Sequence, residues 1–476
     1  MKTLLYFAIS LFMLLSIGLR AQRIESWVTT SNGDNKLAYK GKEKLQKQEI
    51  SGLPVIRIKA SVEKQPILGF GGTFTDADVY NLMRMGEIER TKALQALFDP
   101  EDGAGWNLMR VSFGSTDWDR NWDFYTYDDM PAGQKDDDQL SHFSVAEDER
   151  RGHFKLIREA LAINPDLKIY AAVWGPPAWM KDNDKLIADG TILPEHYDEF
   201  ALYLVKAIQA YQERGIEILS ISPQNESLCT DGRVTPQAQY IRWETMRDLT
   251  KEISKAFKTH NINTEVWIFD HNFVFAKGWV EPFIAAPANR ELFDGVAWHD
   301  YGGSENEMSR LIEKYPDVPM YLTERAHYNV DGLARILNIL RAGARNYSQF
   351  VTISDEYGAP YQWNGGSEKN TEPKPEHKLS ALYNLREDGN QWFRTSGYYN
   401  FAQLTRFVQR NSRLVKSSDL GKGIVNAAFK NPDGKVVVVV ANTTDEDCRF
   451  VINNGARNAS VELPARSVGT YRIRVK

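Results

Sequence analysis

Two glutamates are distinguished by where they fall. Glu226 follows Ile218-Leu219-Ser220-Ile221-Ser222-Pro223-Gln224-Asn225, and Glu324 follows Pro319-Met320-Tyr321-Leu322-Thr323. Both preceding runs read as buried strands, and a carboxylate beside a core is costly unless it has a partner or a task. Two carboxyl groups at the ends of separate strands can work on one bond. One protonates a departing oxygen while the other attacks carbon, which is the chemistry of glycoside cleavage. That division of labour needs one carboxyl that keeps its proton and one that stays ionised.

Further polar residues fall at comparable positions. Asn225, beside Glu226, can donate to a sugar hydroxyl; a solvated loop is the plainer reading of an isolated Asn-Glu pair. Arg110 lies inside Leu108-Met109-Arg110-Val111, so it needs an acidic partner. It either orients a catalytic carboxylate or forms a structural ion pair. Asp76 follows the first strand-like run and is a candidate sugar contact, as are His299 and Tyr301 further on. Trp174 and Trp179 flank Gly175-Pro176-Pro177 and either cover a sugar face or pack the loop. His299, Asp300 and Tyr301 follow a later run, with Tyr301 placed to hydrogen-bond a nucleophile. Asp270-His271 and His299-Asp300 raise a metal alternative, but neither has a compact ligand motif. The acidic stretch Asp117–Asp138 reads as solvated surface and lacks the EF-hand pattern.

These residues need a frame. Strand-like runs occur at Gly69–Phe74, Leu108–Phe113, Ile169–Val173, Leu219–Pro223, Val266–Phe269, Gly295–Trp298, Met320–Thr323 and Phe350–Ile353. Helical spacing lies between them, as in Tyr197, Phe200, Ala201, Leu204, Val205, Ile208 and Tyr211, and in Leu333, Ile336, Leu337 and Leu340. The alternation predicts an α/β fold, a (β/α)8 TIM barrel, with Glu226 after strand four and Glu324 after strand seven. Short strands at Val55–Ile58, Val436–Ala441, Arg449–Ile452, Ser460–Leu463 and Thr470–Val475 predict a side β-sandwich built from both chain ends. Pro432-Asp433-Gly434 marks a turn, and Gly365–Pro375 reads as a long loop after strand eight. The expected divisions are 1–21 as a signal peptide, 22–66 and 399–476 as sandwich, and 67–398 as barrel.

Composition narrows the function class. The chain has 476 residues, 42% hydrophobic and 25% charged, ordinary for a globular enzyme with a large core. Twelve Trp and 21 Tyr suit a site that stacks flat faces on a ligand. Lys2, the apolar stretch from Leu4 to Leu19 and Ala21 predict a secretory signal, hence a secreted or periplasmic protein. No Cys sits at the cut, so no lipoprotein is expected, and no later segment is apolar enough to span a membrane. Losing Lys2 and Arg20 takes the basic count from 58 to 56, which against 63 acidic residues leaves a net charge of −7. No basic patch or nucleic-acid motif is present. The two cysteines, Cys229 and Cys448, are expected as free thiols.

Several blocks together resemble glycoside hydrolase family 30, the family of glucocerebrosidase. They are Gly69-Phe70-Gly71-Gly72-Thr73-Phe74-Thr75-Asp76-Ala77, Arg110-Val111 with Asp117, and Tyr125-Thr126-Tyr127. Next come Gln139-Leu140-Ser141-His142-Phe143-Ser144 and Trp174-Gly175-Pro176-Pro177-Ala178-Trp179-Met180-Lys181. Gln224-Asn225-Glu226, Trp298-His299-Asp300-Tyr301 and Thr323-Glu324 complete the set, in family order. The resemblance implies a retaining β-glycosidase that hydrolyses β-glucosidic bonds in β-glucosides, β-1,6-glucan or glucosylceramide-like substrates through a covalent glycosyl-enzyme, with Glu226 as acid/base and Glu324 as nucleophile. It implies sugar contacts for Asp117, Trp174 and Asn225, and no metal or organic cofactor. β-Xylosidase and β-fucosidase activities fit the same scaffold, as does a non-catalytic carbohydrate-binding barrel. Two departures are visible. Ser227 replaces the family's usual Pro after the acid/base. Ser354-Asp355-Glu356-Tyr357, with Trp363 further on, replaces the Thr-Asp-Trp-Asn run of the glucocerebrosidase branch.

Overall fold

The computed structural model describes residues 22–119, 123–131, 134, 137–187, 190–228, 239–355, 380–384 and 389–474. The signal segment, Cys229, Gly365–Pro375, Glu356, Tyr357 and Trp363 lie outside them.

Three strands open the chain: β1 (Arg23–Thr30), β2 (Ala38–Lys44) and β3 (Val55–Pro66). Eight parallel strands then close into a barrel: β4 (Gly69–Thr73), β5 (Leu108–Ser112), β6 (Lys168–Ala172), β7 (Ile218–Ser222), β8 (Glu265–Asn272), β9 (Gly295–His299), β10 (Met320–Arg325) and β11 (Ala344–Gln349). A small sheet of β12 (Ile353–Asp355), β13 (Leu382–Asn384) and β14 (Trp392–Arg394) follows. The last six strands are β15 (Arg413–Ser417), β16 (Ile424–Lys430), β17 (Lys435–Asn442), β18 (Cys448–Asn453), β19 (Asn458–Leu463) and β20 (Ser467–Arg474). The α-helices are α1 (Asp76–Met83), α2 (Glu87–Phe98), α3 (Ala146–Arg151), α4 (His153–Ile163), α5 (Tyr197–Gln212), α6 (Trp243–Thr259), α7 (Glu281–Ala285), α8 (Asn306–Lys314), α9 (Val330–Ala342) and α10 (Ser396–Thr405).

The barrel strands alternate between its two faces, as a period of two requires. In β5, Met109 and Val111 face the helices while Leu108 joins Tyr170, Trp267, Ala297 and Tyr321 inside the barrel. Trp267 stacks on Tyr321 with centroids 3.8 Å apart, which plugs the interior with aromatic surface. Arg110, two residues beyond Leu108, occupies the same inward row one layer higher. β4 passes so close to β5 that a Cβ on Gly71 would lie 1.8 Å from the Leu108 carbonyl oxygen, so only glycine fits there.

The eighth strand is displaced from its predicted place. It is Ala344–Gln349, paired in parallel with β10 and β4, and not Phe350–Ile353. Apolarity misled the reading because the true strand carries polar side chains inward, each with an internal partner. Asn346 bonds both the N–H and the carbonyl of Leu322, at 2.9 and 3.1 Å. Ser348 accepts from the Tyr170 hydroxyl at 2.6 Å. Gln349, on the outward row with Tyr347, accepts from the His327 N–H and donates to its carbonyl. Ile353 begins β12 instead.

The sandwich arises from one nine-stranded hydrogen-bonded order, β19-β18-β3-β15-β16-β17-β20-β1-β2, so both chain ends contribute. Its interior holds Ile24, Ile56, Val436, Val438, Val440, Phe450 and Ile473. Val437, Val439 and Ala441 of β17 point the other way and join the barrel's core. The run Val436–Val440 is therefore apolar on both faces for a reason: α9 covers the second. Helix α10 crosses the expected division at residue 398 and packs on β4 as well as on β1 and β20.

Candidate active site

The carboxyl ends of β4 to β11 form one rim, and two strands are bulged there. Register slips between Phe269 and His271 opposite Ala297 and Trp298, so Asp270 is the extra residue on β8. A second slip between Leu322 and Glu324 does the same for Thr323 on β10. Three non-glycine residues take left-handed backbone here: Glu226 (φ 51°), Phe269 (φ 81°) and Asp270 (φ 51°). Such residues are uncommon and strained, and their clustering marks a functional site. They are tied together, because the Glu226 N–H donates to the Asp270 carbonyl at 2.9 Å.

Arg110 is the hub. It is fully buried and donates to Glu324 Oε2 at 2.5 Å, Asn225 Oδ1 at 2.7 Å and Asp270 Oδ2 at 2.8 Å. The bond to Asn225 Oδ1 turns that amide so that its NH2 faces the other way. Tyr301 donates to the second Glu324 oxygen, Oε1, at 2.9 Å. His299 stands between the glutamates. Its Nδ1 is 3.1 Å from Glu226 Oε1, while its Nε2 is 3.2 Å from Asp270 Oδ1 and 3.7 Å from Glu324 Oε2. Thr323 donates to Asp270 Oδ1 at 2.5 Å. Trp174 lies over the Arg110 guanidinium at 4.8 Å and donates to Asp117 Oδ1 at 3.0 Å.

The charges nearly balance. Two cations, Arg110 and His299, face three carboxyl groups, Asp270, Glu226 and Glu324, which leaves room for one more proton. Burial works against the Asp270 charge, yet Arg110 and His299 outweigh it and hold the carboxyl well below the usual range. Burial disfavours the His299 cation, but Glu324, Asp270 and Glu226 push its pKa up to about 10. His271, buried beside them, is pushed down to about 4 and is neutral at ordinary pH. Burial alone would raise Glu226, but the His299 hydrogen bond and charge prevail and hold it below a normal glutamate. The expected proton-holding carboxyl is thus not Glu226 by itself. The Glu226–His299 pair holds a proton jointly, and moving it to Glu226 leaves a neutral imidazole still able to donate Nε2–H to Asp270.

The structure brings Glu226, Glu324, Arg110, Asn225, His299 and Tyr301 into one network, with Trp174 and Asp117 at its edge. Asp76 is elsewhere engaged. It is buried, its Oδ2 accepts from the Thr116 N–H at 2.9 Å, and its Oδ1 meets His153 at 3.2 Å and Arg151 at 3.4 Å. It was expected to touch sugar; instead it anchors the loop that carries Asp117. Trp179 is packed in its loop and donates to Asp128. Asp300 is taken by His327 and Arg335, so the four residues of the metal alternative are not brought together. The acidic stretch is not a solvated surface throughout. Asp119, Asp128 and Asp137 are buried, paired with Arg151, Trp179 and the Ser141–His142 turn. Ser227 uses the freedom gained by replacing Pro to donate to the Phe269 carbonyl at 2.9 Å. Sequence reasoning missed Asp270 as an organiser and Thr323 as its partner. The available signal was an Asp directly after an apolar strand run, the same signal that singled out both glutamates.

A closed parallel barrel with paired carboxylates at its carboxyl rim defines a glycoside hydrolase. Residues 67–332 match the glycosyl hydrolase family 30 TIM-barrel domain, and residues 411–471 match the family 30 β-sandwich domain. The chain belongs to glycosyl hydrolase family 30. Its curated relatives include an endo-1,6-β-D-glucanase of Aspergillus fumigatus, 27% identical over 441 residues, covering 87% of this chain and 86% of that one. The lysosomal acid glucosylceramidase of Mus musculus is 24% identical over 433 residues, covering 86% and 81%. Among solved structures, SrfJ from Salmonella typhimurium superposes with a TM-score of 0.83 at 22% identity, covering 96% of this chain and 100% of that one. An endo-β1,6-glucanase superposes with a TM-score of 0.81 at 24% identity, covering 95% and 100%. No helix among the described residues is long and apolar enough to cross a membrane.

Proposed function

We propose that this family 30 hydrolase cleaves β-1,6-linked glucan by double displacement, with Glu324 as nucleophile and Glu226 as acid/base. The observation that carries the residue roles is the different support of the two carboxyls. Both Glu324 oxygens accept hydrogen bonds, from Arg110 and Tyr301, which fixes the group for attack on an anomeric carbon. Glu226 is more open, with its side chain 26% exposed, and one oxygen faces the proton-bearing Nδ1 of His299. In the first step Glu226 passes its proton to the departing oxygen while a Glu324 oxygen bonds to carbon. In the second, Glu226 takes a proton from water as that water displaces Glu324. Asn225, oriented by Arg110, donates to a sugar hydroxyl. Trp174 and Asp117 bound the same side.

The linkage is proposed from the relatives, because endo-1,6-β-glucanases of Aspergillus fumigatus, Neurospora crassa and Trichoderma harzianum are among them. Export is part of the proposal and rests on the Lys2–Ala21 segment; the amino-terminal sequence of protein recovered outside the cytoplasm checks it. Incubation with β-1,6-glucan, aryl β-glucosides, β-xylosides, β-fucosides and glucosylceramide, with product anomers followed by NMR, tests the substrate and the stereochemistry. β-1,6-Glucan should be the best substrate and the first product should be the β anomer. An α first product would overturn double displacement, and preference for another glycoside would overturn the linkage.

A further inference from the structure

His271 has a nitrogen without an occupation. It is buried, with 5% exposure, and its Nδ1 makes no hydrogen bond among the described residues. That Nδ1 lies 3.7 Å from Glu226 Oε1. That distance is too long for a hydrogen bond. The same oxygen also faces His299 Nδ1 at 3.1 Å. One ligand atom each from Glu226, His271 and His299 lies within 4.8 Å of the others.

One imidazole is braced from behind. Asp270 holds His299 at Nε2 while itself being fixed by Arg110 and Thr323. A histidine whose far nitrogen is held by a carboxylate or carbonyl is already oriented as a metal ligand. Ligands about 2.0–2.1 Å from a tetrahedral zinc ion stand about 3.3–3.5 Å from one another. The two distances to Glu226 Oε1, 3.1 and 3.7 Å, bracket that edge. Two nitrogens and one oxygen suit Zn2+ or Cu2+ and not Mg2+ or Ca2+, which favour all-oxygen shells.

We propose that Glu226, His271 and His299 form an inhibitory site for a borderline transition-metal dication such as Zn2+, which displaces the proton on His299 Nδ1 to solvent and stops hydrolysis by occupying the Glu226 carboxyl. The inhibition rests on Glu226 being the acid/base; metal binding by the three side chains does not.

The test uses the whole enzyme, stripped with EDTA and dialysed. ZnCl2 is titrated by calorimetry and, separately, into a hydrolysis assay; MgCl2 is the control. One zinc should bind per chain, and hydrolysis should fall in step with occupancy and return on adding EDTA. Mg2+ should do neither. His271→Ala should weaken zinc binding at least tenfold and raise the half-inhibitory zinc concentration equally, each against the variant's own metal-free rate. Co2+ gives a readout that needs no activity: the wild type should develop visible absorption of a low-coordinate nitrogen and oxygen site, lost in Glu226→Gln. That spectrum decides the matter if His271→Ala does not fold. Equal zinc affinity in wild type and His271→Ala, or a Co2+ spectrum indifferent to Glu226→Gln, would overturn the site. Zinc bound through His271 with hydrolysis unaffected would overturn the inhibition and, with it, the role given to Glu226, while leaving family membership intact.

Discussion

Glu226 and Glu324 communicate through a third side chain. His299 touches both, and Asp270 fixes His299, so the residue-scale consequences differ by position. Glu324→Gln keeps the shape and removes the nucleophile. Its kcat should fall by about 10^3–10^5, on the order of 4–7 kcal/mol of barrier, for every substrate. Glu226→Gln should cost substrates with poor leaving groups far more than activated aryl glycosides, because only the former need a proton. Parallel kinetics on a β-1,6-linked disaccharide and a dinitrophenyl glycoside check both, and equal losses on the two would contradict the acid assignment. Asp270→Asn leaves the Arg110 and His299 cations with one carboxylate fewer in a dry site. Breaking a buried ion pair from one side costs about 3–5 kcal/mol, so the variant should melt several degrees lower as well as turn over more slowly. Calorimetry and kcat on the same preparation read the two effects.

At the scale of elements, the loop bearing Asp117 is held by helices behind it. Asp76 begins α1, whose Thr75 cap and Asp78 form a capping box; Asp78 also accepts from the Thr352 and Ile353 N–H groups, joining α1 to the segment after β11. Asp76 meets His153 of α4. Burial opposes both charges, but each stabilises the other, lowering the Asp76 pKa and raising that of His153. The signs give a stability window. The raised His153 contributes fully below its unfolded value of about 6.5 and loses that contribution as pH rises through its folded value. The lowered Asp76 contributes above about 4 and loses it as pH falls. His153→Gln should therefore lower the melting temperature most near pH 5–6, with the deficit shrinking at higher pH. Thermal unfolding of both proteins from pH 4 to 9 measures it, and a deficit that grows with pH would refute the pairing.

For the whole molecule, the sandwich and barrel share a core. Val437 and Val439 of β17 pack with the helices of the barrel, and Gln403 of α10 donates to Thr29 at 2.8 Å and accepts from Thr470. Ending the chain after Arg410 would remove β15 to β20 and expose the apolar faces of α9 and α10. The shortened protein should be insoluble or aggregate, while the full chain should unfold in a single calorimetric transition. Two separated transitions would show that the sandwich is an independent unit.

How much of this was legible beforehand follows physical lines. Wherever a strand is apolar on its outward row, as in Leu108–Ser112 or Met320–Arg325, local composition found it. Ala344–Gln349 escaped because its inward side chains are polar and satisfied by residues distant in the chain, such as Leu322 and Tyr170. Asp76 shows the same limit at the residue level: a carboxylate at a strand end is visible locally, but whether it faces the cavity or His153 depends on how α4 packs.

Residue chemistry and periodicity alone determined that this chain is a strand–helix barrel with a β-rich companion and two strand-end glutamates, because each rests on local pattern. Tertiary structure decided the rest. Bulges at Asp270 and Thr323, the left-handed turn at Glu226 and the buried span of Arg110 depend on contacts between distant segments. Those contacts, and the charges they bring together, determine which carboxyl is held rigid and which shares its proton.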